Sequence, residues 1–552
     1  MIRLFEQHRI RESKELDGMW NFKAQGKEYQ MPVPACWEQH PDFLSYRGKG
    51  EYSKRVYVKN DGNVRLEFNG VSHTADVYFD GEKIAHHYNA FTPFSAVIKN
   101  VKKGEHEIKV EVDNTFGEHS ALHIPNDYYT YGGITRPVAY EQVDDVYIKN
   151  VHFTPKFQDG KWSAKIEVSI GSLSDTAINV DVKSTLAGTE MNKEVSIDAD
   201  TTVVFEQEFD DVKAWSQGNS NLYMLNTVIS VNDKDIDDLI ERVGFRTVEV
   251  RDTKIYLNGE EIYLKGFNRH EDYAVDGCAV TLQHMVQDMD LMQDMGANAV
   301  RTCHYPNDER FLDLCDERGI FVWEENHARG LVLKDMQNPN FEKQCEDCIR
   351  EMIENHYNHP SIVIWGILNE CASETDEGRR MYKKQYDQIK SLDTSRPTTS
   401  ATCRHFTDIC LDLPDVVSFN MYTKWYKDCP IDERNNQEIE WIKESGGDNK
   451  PIIVSELGAA AIYGYRDRSR CKWSEERQAD LIRDNLEVYM TDDRICGVFI
   501  WQFADCRVTE EGEWFATRAR CHNNKGIVDE YRRPKMAYDT VKEMYTKYGG
   551  TK

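Results

Sequence analysis

No apolar run in this 552-residue chain is long enough to cross a bilayer. The longest, such as SIVIWGIL at Ser361–Leu368, fall well short of the roughly 20 residues that a spanning helix needs. The opening stretch, MIRLFEQHRIRESKELDGMW, carries charge every few residues and lacks the apolar core of a secretion signal. A basic excess is also missing. Lys and Arg number 68 against 95 Asp and Glu, a formal net charge of −27. Phosphate backbones and anionic membranes are bound by basic faces, so neither nucleic acid nor a membrane is expected as a partner. The 14 cysteines show no paired framework and are scattered singly, which reads as reduced thiols in a cytoplasmic protein. The one C-x-x-C, Cys345 and Cys348, sits in the helical-looking FEKQCEDCIREMIENHY with no second pair nearby, and reads as chance spacing on a helix. There is no short-period repeat and no low-complexity tract.

What the chain does contain changes character twice. Residues 1–145 alternate with period two, as in NVRLEFNGVSHTADVYFDGEKIAHHYNAF, with a hairpin signal at Asp80-Gly81. Residues 146–247 repeat the pattern in shorter units, as a β-sandwich does. From 248 to 552 strand-like and helix-like segments alternate, with eight short apolar runs. In TLQHMVQDMDLMQDMG, Leu282, Met285, Met289, Met292 and Met295 mark one helical face. Eight strands with crossover helices predict a (β/α)8 barrel. The fifth crossover, RHFTDICLDLPD, is too short for a good helix.

In such a barrel, function lies at the C-terminal ends of the strands. The runs end in polar groups: Arg269–Asp272, then Arg301, His304 and Tyr305, then Glu324 and Glu325, and later Asn420, Tyr422, Trp501 and Asp505. Glu370 and Glu456 each end a nearly all-apolar run, the fourth and the seventh. One such carboxylate is explained by a helix cap, but two across one barrel mouth suit glycoside hydrolysis. One carboxyl protonates the leaving oxygen, and the other attacks the anomeric carbon or activates water. The donor needs a raised pKa. Aromatics near the strand ends, Tyr128, Tyr129, Tyr131, Tyr422, Trp425, Tyr426 and Trp501, offer faces for sugar rings.

GFNRHED, NAVRTCHYPND, NHPSIVIWGILNE, FNMYTKWY and PIIVSELG, with the N-terminal LDGMWNF and VYFDGEKI, resemble glycoside hydrolase family 2 in order and spacing. That group contains β-galactosidases, β-mannosidases and β-glucuronidases. The resemblance covers nearly the whole chain. It implies an N-terminal β jelly-roll sandwich, an immunoglobulin-like β-sandwich and a C-terminal (β/α)8 TIM barrel. It also implies a retaining double displacement, with Glu370 as acid/base and Glu456 as nucleophile, no metal or cofactor, and a homo-oligomer. Asp127 matches an aspartate contributed by the first domain, His270 a hydroxyl-binding histidine, and Asn369 the holder of the 2-hydroxyl. Tyr422 and Tyr426 match the tyrosines at the sixth strand end, and Trp501 the floor. Two departures stand out: Cys371 where the family usually has proline after the acid, and a shortened segment between WEENHARG and NHP.

The eighth strand is followed by RARCHNNKG. β-Glucuronidases of the family carry an Asn-x-Lys there that binds the sugar carboxylate, and Asn523 and Lys525 match it. A lysine and an amide make charge-assisted bonds to a carboxylate in a partly dry site, whereas a neutral hexoside leaves that lysine unpaired. An arginine should join them, and the spacing is ambiguous between Arg518 and Arg520, with Arg520 taken as the candidate. The expected substrate is thus a small β-D-glucuronide or a terminal uronic-acid residue of a glycan. The alternatives are a β-galacturonide, a β-galactoside, or a catalytically inactive carbohydrate-binding homologue.

Overall fold

The computed structural model describes residues 2–511 and 514–548, with the side chains of 514 and 515 left aside. Two β-sandwiches lead into a barrel. In the first, a four-stranded sheet (Glu12–Glu15, Val138–Val143, Gly62–Phe68, Phe94–Val101) faces a six-stranded one containing Lys49–Val58 and Gly104–Asp113. Strand alternation builds the core between them: Val64, Leu66 and Phe68 point inward, as do Ile108, Val110 and Val112 of the facing sheet. The hairpin at Asp80-Gly81 joins paired Phe79 and Glu82, and both turn residues have positive φ, 49° and 84°, as a two-residue turn of this kind requires.

The second sandwich packs a three-stranded sheet (Val146–Gln158, Lys161–Ser172, Thr201–Phe209) on a four-stranded one (Thr189–Ile197, Ile178–Leu186, Tyr223–Val231, Lys234–Val243). The chain's first residues run along this sandwich instead of the first. Arg11 is held by Asp237 at 2.7 Å, and Ile240 N donates to Gln7 O. Arg3 reaches the barrel and pairs with buried Asp313.

The barrel closes through eight parallel strands: β1 (Leu264–Arg269), β2 (Ala299–Thr302), β3 (Phe321–Glu325), β4 (Ile362–Ile367), β5 (Thr398–Thr402), β6 (Val416–Asn420), β7 (Ile452–Leu457) and β8 (Ile495–Ile500). Its bottom is capped by a small sheet, whose Val248, Ile255 and Leu257 join Leu264, Ala299 and Phe321. The methionine face forms helix α1 (Leu282–Asp294), capped by Thr281, with Met285, Met289, Met292 and Met295 buried. Leu282 is the exception, exposed at the helix start. Between β5 and β6 there is no helix, in keeping with the short fifth crossover. Cys345 and Cys348 lie on helix Phe341–His356 and pack into the barrel core. Among the described residues no helix is long and apolar enough to cross a membrane.

The first sandwich is fastened to the barrel mouth by a buried ion pair. Arg136 Nη2 donates to Glu271 Oε2 at 2.6 Å and to Pro306 O at 2.8 Å, and Nη1 donates to Phe91 O. Glu271 also accepts from Asp308 N. Removing one partner of such a pair leaves a buried charge uncompensated, at a cost of about 3–5 kcal/mol. Glu271→Ala should therefore lower the thermal midpoint by several degrees and open the first sandwich to proteolysis. The double replacement Arg136→Met with Glu271→Met should recover much of the loss. A midpoint unchanged in Glu271→Ala would show that the two bodies do not depend on this pair.

Candidate functional site

A cavity of about 610 Å3 opens at the C-terminal end of the barrel, lined in part by Asp127, Arg329, Glu370, Asn420, Tyr422, Glu456, Trp501, Arg518, Asn523 and Lys525. The strand ends deliver the two glutamates to it. Asn420, at the end of β6, is the register partner of Glu456 on β7, and its Nδ2 donates to Glu370 Oε1 at 2.8 Å. One residue thus links the positions of both carboxylates. Tyr422 Oη donates to Glu456 Oε2 at 2.5 Å, and Arg301 Nη1 donates to Oε1 at 3.1 Å. Arg329 Nη2 lies 3.5 Å from Glu370 Oε2. The backbone around Glu370 is strained: Leu368 and Glu370 have φ of 42° and 55°, a region that costs a non-glycine residue roughly 1–2 kcal/mol. Such outliers cluster at functional sites. Cys371 follows, buried, with its thiol toward Asn369 O.

Burial pushes the Glu456 carboxyl up to about 7; the charge of Glu370 adds to this, while Arg301, the Tyr422 hydrogen bond and Arg329 oppose it. The Glu456 side chain is the more deeply buried of the two, 4% exposed against 17% for Glu370.

The donor loop after β8 folds over the cavity as expected, with one correction. Arg520 turns away: it has φ of 59°, its side chain is half exposed, and it pairs with Glu530 at 2.7 Å. The arginine in the cavity is Arg518, whose Nε and Nη2 each reach an Asp127 oxygen at 2.6 Å. Asn523 Nδ2 donates to the same carboxylate at 3.0 Å. Burial works against the Asp127 charge, but the Arg518 bonds and charge, then Lys525 and Arg329, hold its pKa below the ordinary value. Lys525 is 2% exposed, with its ammonium 5.6 Å and 5.4 Å from the ring centres of Tyr422 and Tyr426. Asp505, read from the sequence as a strand-end acid, anchors this loop instead, accepting from Gly526 N and buried Lys535 Nζ. Gly526 is required there: a Cβ would lie 2.2 Å from Asp505 N and 2.4 Å from Val528 O.

Other expected residues are buried beside groups that line the cavity, Asn369 next to Glu370 in the chain and His270 against Trp501. Asn369 Oδ1 accepts from Arg301, and its Nδ2 is buried without a partner. His270 Nδ1 contacts Tyr305 Oη, while His304 Nδ1 contacts Glu325 and its ring stacks on Trp501. Both histidines have a buried, unpartnered Nε2. With Cys303 they place three possible metal-ligand atoms within 4.8 Å; a second such group among the described residues, Asp313, Asp316 and His359, is already engaged with Arg3 and in an Asp316–His359 contact. Of the aromatics, Tyr422, Trp425, Tyr426 and Trp501 line the cavity. Tyr128, Tyr129 and Tyr131 do not; they are buried, with Tyr128 against His327 and Tyr131 bonded to Asp272. Sequence reasoning missed Arg329 entirely. It stands in WEENHARG, a few residues past the apolar–acidic pattern that drew attention to β3.

Residues 248–549 match the TIM barrel domain of glycosyl hydrolases family 2, residues 146–246 that family's second domain, and residues 43–152 its galactose-binding domain-like unit. The chain belongs to glycoside hydrolase family 2. It is an enzyme of the glycosyl hydrolase class. A family 2 β-galacturonidase from Eisenbergiella tayi, solved with galacturonate, is 48% identical with a TM-score of 0.96, covering 99% of both chains. The β-D-glucuronidase of Dictyoglomus thermophilum is 28% identical with a TM-score of 0.84, covering 99% of this chain and 98% of that one. A β-glucuronidase of Streptococcus agalactiae is 28% identical over 97% of this chain and 96% of its own.

The raised Glu456 carboxyl can be tested directly. One carboxyl should titrate near 7 in carboxyl-13C NMR, and Glu456→Gln should remove that resonance. Glu370→Gln should lower its pKa, because the like charge that raises it is gone. A pKa that stays put or rises in Glu370→Gln would refute the coupling.

Proposed function

We propose that this protein is a retaining exo-acting β-D-hexuronidase, with β-galacturonides as its preferred substrates. The reading rests on one observation above the rest: buried Lys525 and Asn523 face the same cavity as the Glu370–Glu456 pair. A C6 carboxylate is the group such donors would bind, by charge-assisted bonds in a water-poor site. Similarity to the galacturonate-bound E. tayi enzyme at 48% identity supports the galacto epimer. The glucuronide reading is second, supported by glucuronidases at 28% identity.

In the proposed mechanism, Glu370 is the proton donor and Glu456 acts ionised, held by Arg301 and Tyr422. Glu456 Oε attacks C1 as the C1–O bond to the aglycone breaks, and Glu370 gives its proton to the departing oxygen. Water then attacks C1, passing its proton to Glu370, and the C1–Oε bond breaks. Asn369 would hold the 2-hydroxyl, His270 another ring hydroxyl, and Trp501 the floor. Asp127 would orient Arg518 and Asn523 around the carboxylate, with Tyr426 beside Lys525.

Three measurements follow from these assignments. A fluorinated uronide inactivator should label Glu456, seen by peptide mass analysis; a label elsewhere would overturn the nucleophile. On 4-nitrophenyl substrates the order should be galacturonide, then glucuronide, with galactoside last. A galactoside in first place would remove the uronidase reading. Lys525→Ala should lower kcat/KM on uronides by roughly tenfold to over a hundredfold, the equivalent of losing a charge-assisted bond of about 1.5–3 kcal/mol. Trace activity on galactosides should hold or rise. Uronide turnover left intact would make the loop a bystander.

A further inference from the structure

The cavity extends beyond the groups that one sugar ring would use, and its outer part is basic. Three carboxylates line it, Asp127, Glu370 and Glu456, and all belong to the monosaccharide site. Six cationic side chains line it, Arg329, Lys427, Arg434, Lys472, Arg518 and Lys525. This excess of positive charge lies inside a protein of net charge −27. Arg329, Arg518 and Lys525 are accounted for by the first ring. Lys427 and Lys472 are not, and Arg434 is compensated by an acid outside the lining. Lys427 is exposed, and its ammonium has no hydrogen bond or ion pair among the described residues. Lys472 Nζ donates only to a neutral group, Trp425 O, at 2.7 Å. Arg434 lies 3.2 Å from Glu438, a buried acid that stands behind the cavity wall and is also held by His405. Trp425 and Trp473, edge to face at 5.8 Å, supply apolar surface beside the lysines.

Direction matters as much as charge. The glycosidic oxygen must lie against the proton donor, and Glu370 is the more exposed of the two glutamates, 17% against 4%. The leaving group therefore runs outward past Glu370 toward the rim of the cavity, and the exposed cations among the lining residues are Lys427 and Lys472. A basic cleft with low-dielectric walls concentrates anions. Resting on the uronidase reading, we infer that the outer cavity is an aglycone subsite for an anionic sugar, one bearing a carboxylate or a sulfate. The natural substrate is then the non-reducing end of an acidic oligosaccharide, cleaved one uronate at a time.

The test uses disaccharides that share a non-reducing β-linked uronate and differ in the reducing sugar: a neutral hexose, a hexuronate or a sulfated hexose. The 4-nitrophenyl uronide serves as the control. At low ionic strength, kcat/KM should be roughly tenfold higher for an acidic than for the neutral reducing sugar, with the gap shrinking as salt screens the contact. The carboxylate and sulfate arms tell a polyuronide from a sulfated glycan, and a preference for either supports the subsite. Lys427→Ala combined with Lys472→Met should bring the ratio close to one while sparing the 4-nitrophenyl uronide. Lys427→Glu, a change at an exposed position, should push it below one. An acidic sugar that is turned over no faster than the neutral one, or a ratio unmoved in the variants, overturns the subsite while the uronidase reading stands. If the 4-nitrophenyl uronides are themselves untouched, that reading fails and the subsite fails with it.

Discussion

A single buried guanidinium sets the geometry at the floor of the barrel mouth. Arg301 is fully buried on β2 and must have its charge neutralised where it stands. It donates twice to Glu325 at 2.9 Å, to Asn268 and Asn369 at 2.9 and 2.8 Å, and to Glu456 at 3.1 Å. The planar fork of an arginine serves these acceptors in fixed directions, which a lysine could not do. Four strand ends, β1 through β4, and β7 are tied to one point by it. Glu456 is thereby oriented, and Asn369 presents its amide beside Glu370. A charge this deeply buried is stable only because its partners are present, so the positions of the two glutamates are consequences of packing and not of loop preference.

The second constraint crosses a domain boundary. Asp127 comes from the first sandwich and Arg518 from the loop after β8, yet the two form a bidentate pair inside the cavity. That pair and Asn523 close one wall, and Asp505, Lys535 and Gly526 brace the loop from behind. The barrel alone lacks this wall. The Arg136–Glu271 pair, which fastens the sandwich to the barrel mouth, therefore bears on the site as well as on the fold.

The fold was legible because strands and helices bury regular faces: period two through the sandwiches, period 3.6 in the methionine helix. Glu370 and Glu456 stood out for a local reason too, since each ends a nearly all-apolar run, and the structure brings both to one cavity. Long-range contacts were not legible. Nothing in RARC tells Arg518 from Arg520; the choice depends on a left-handed turn at Arg520 and on an acid 391 positions away from Arg518. Arg329 went unseen for the same reason, as its neighbours Asn126, Asp127 and Glu370 come from distant segments. The tyrosines of NDYYTYGG show that an aromatic count gives no direction: they face histidine, cysteine and Asp272, not the cavity.

On the proposed reading, the Lys525 loop, the paired glutamates and the basic outer cavity form one site that would grip a terminal uronate by its carboxylate and release the remainder past Glu370. The proposed retaining reaction would leave a stereochemical signature. Proton NMR of the first turnovers of an aryl β-galacturonide is the most direct measurement. The account predicts free galacturonic acid appearing first as the β-anomer, with the α-anomer growing in later by mutarotation. The α-anomer as the first product would contradict it, as would an inert galacturonide beside a rapidly hydrolysed galactoside.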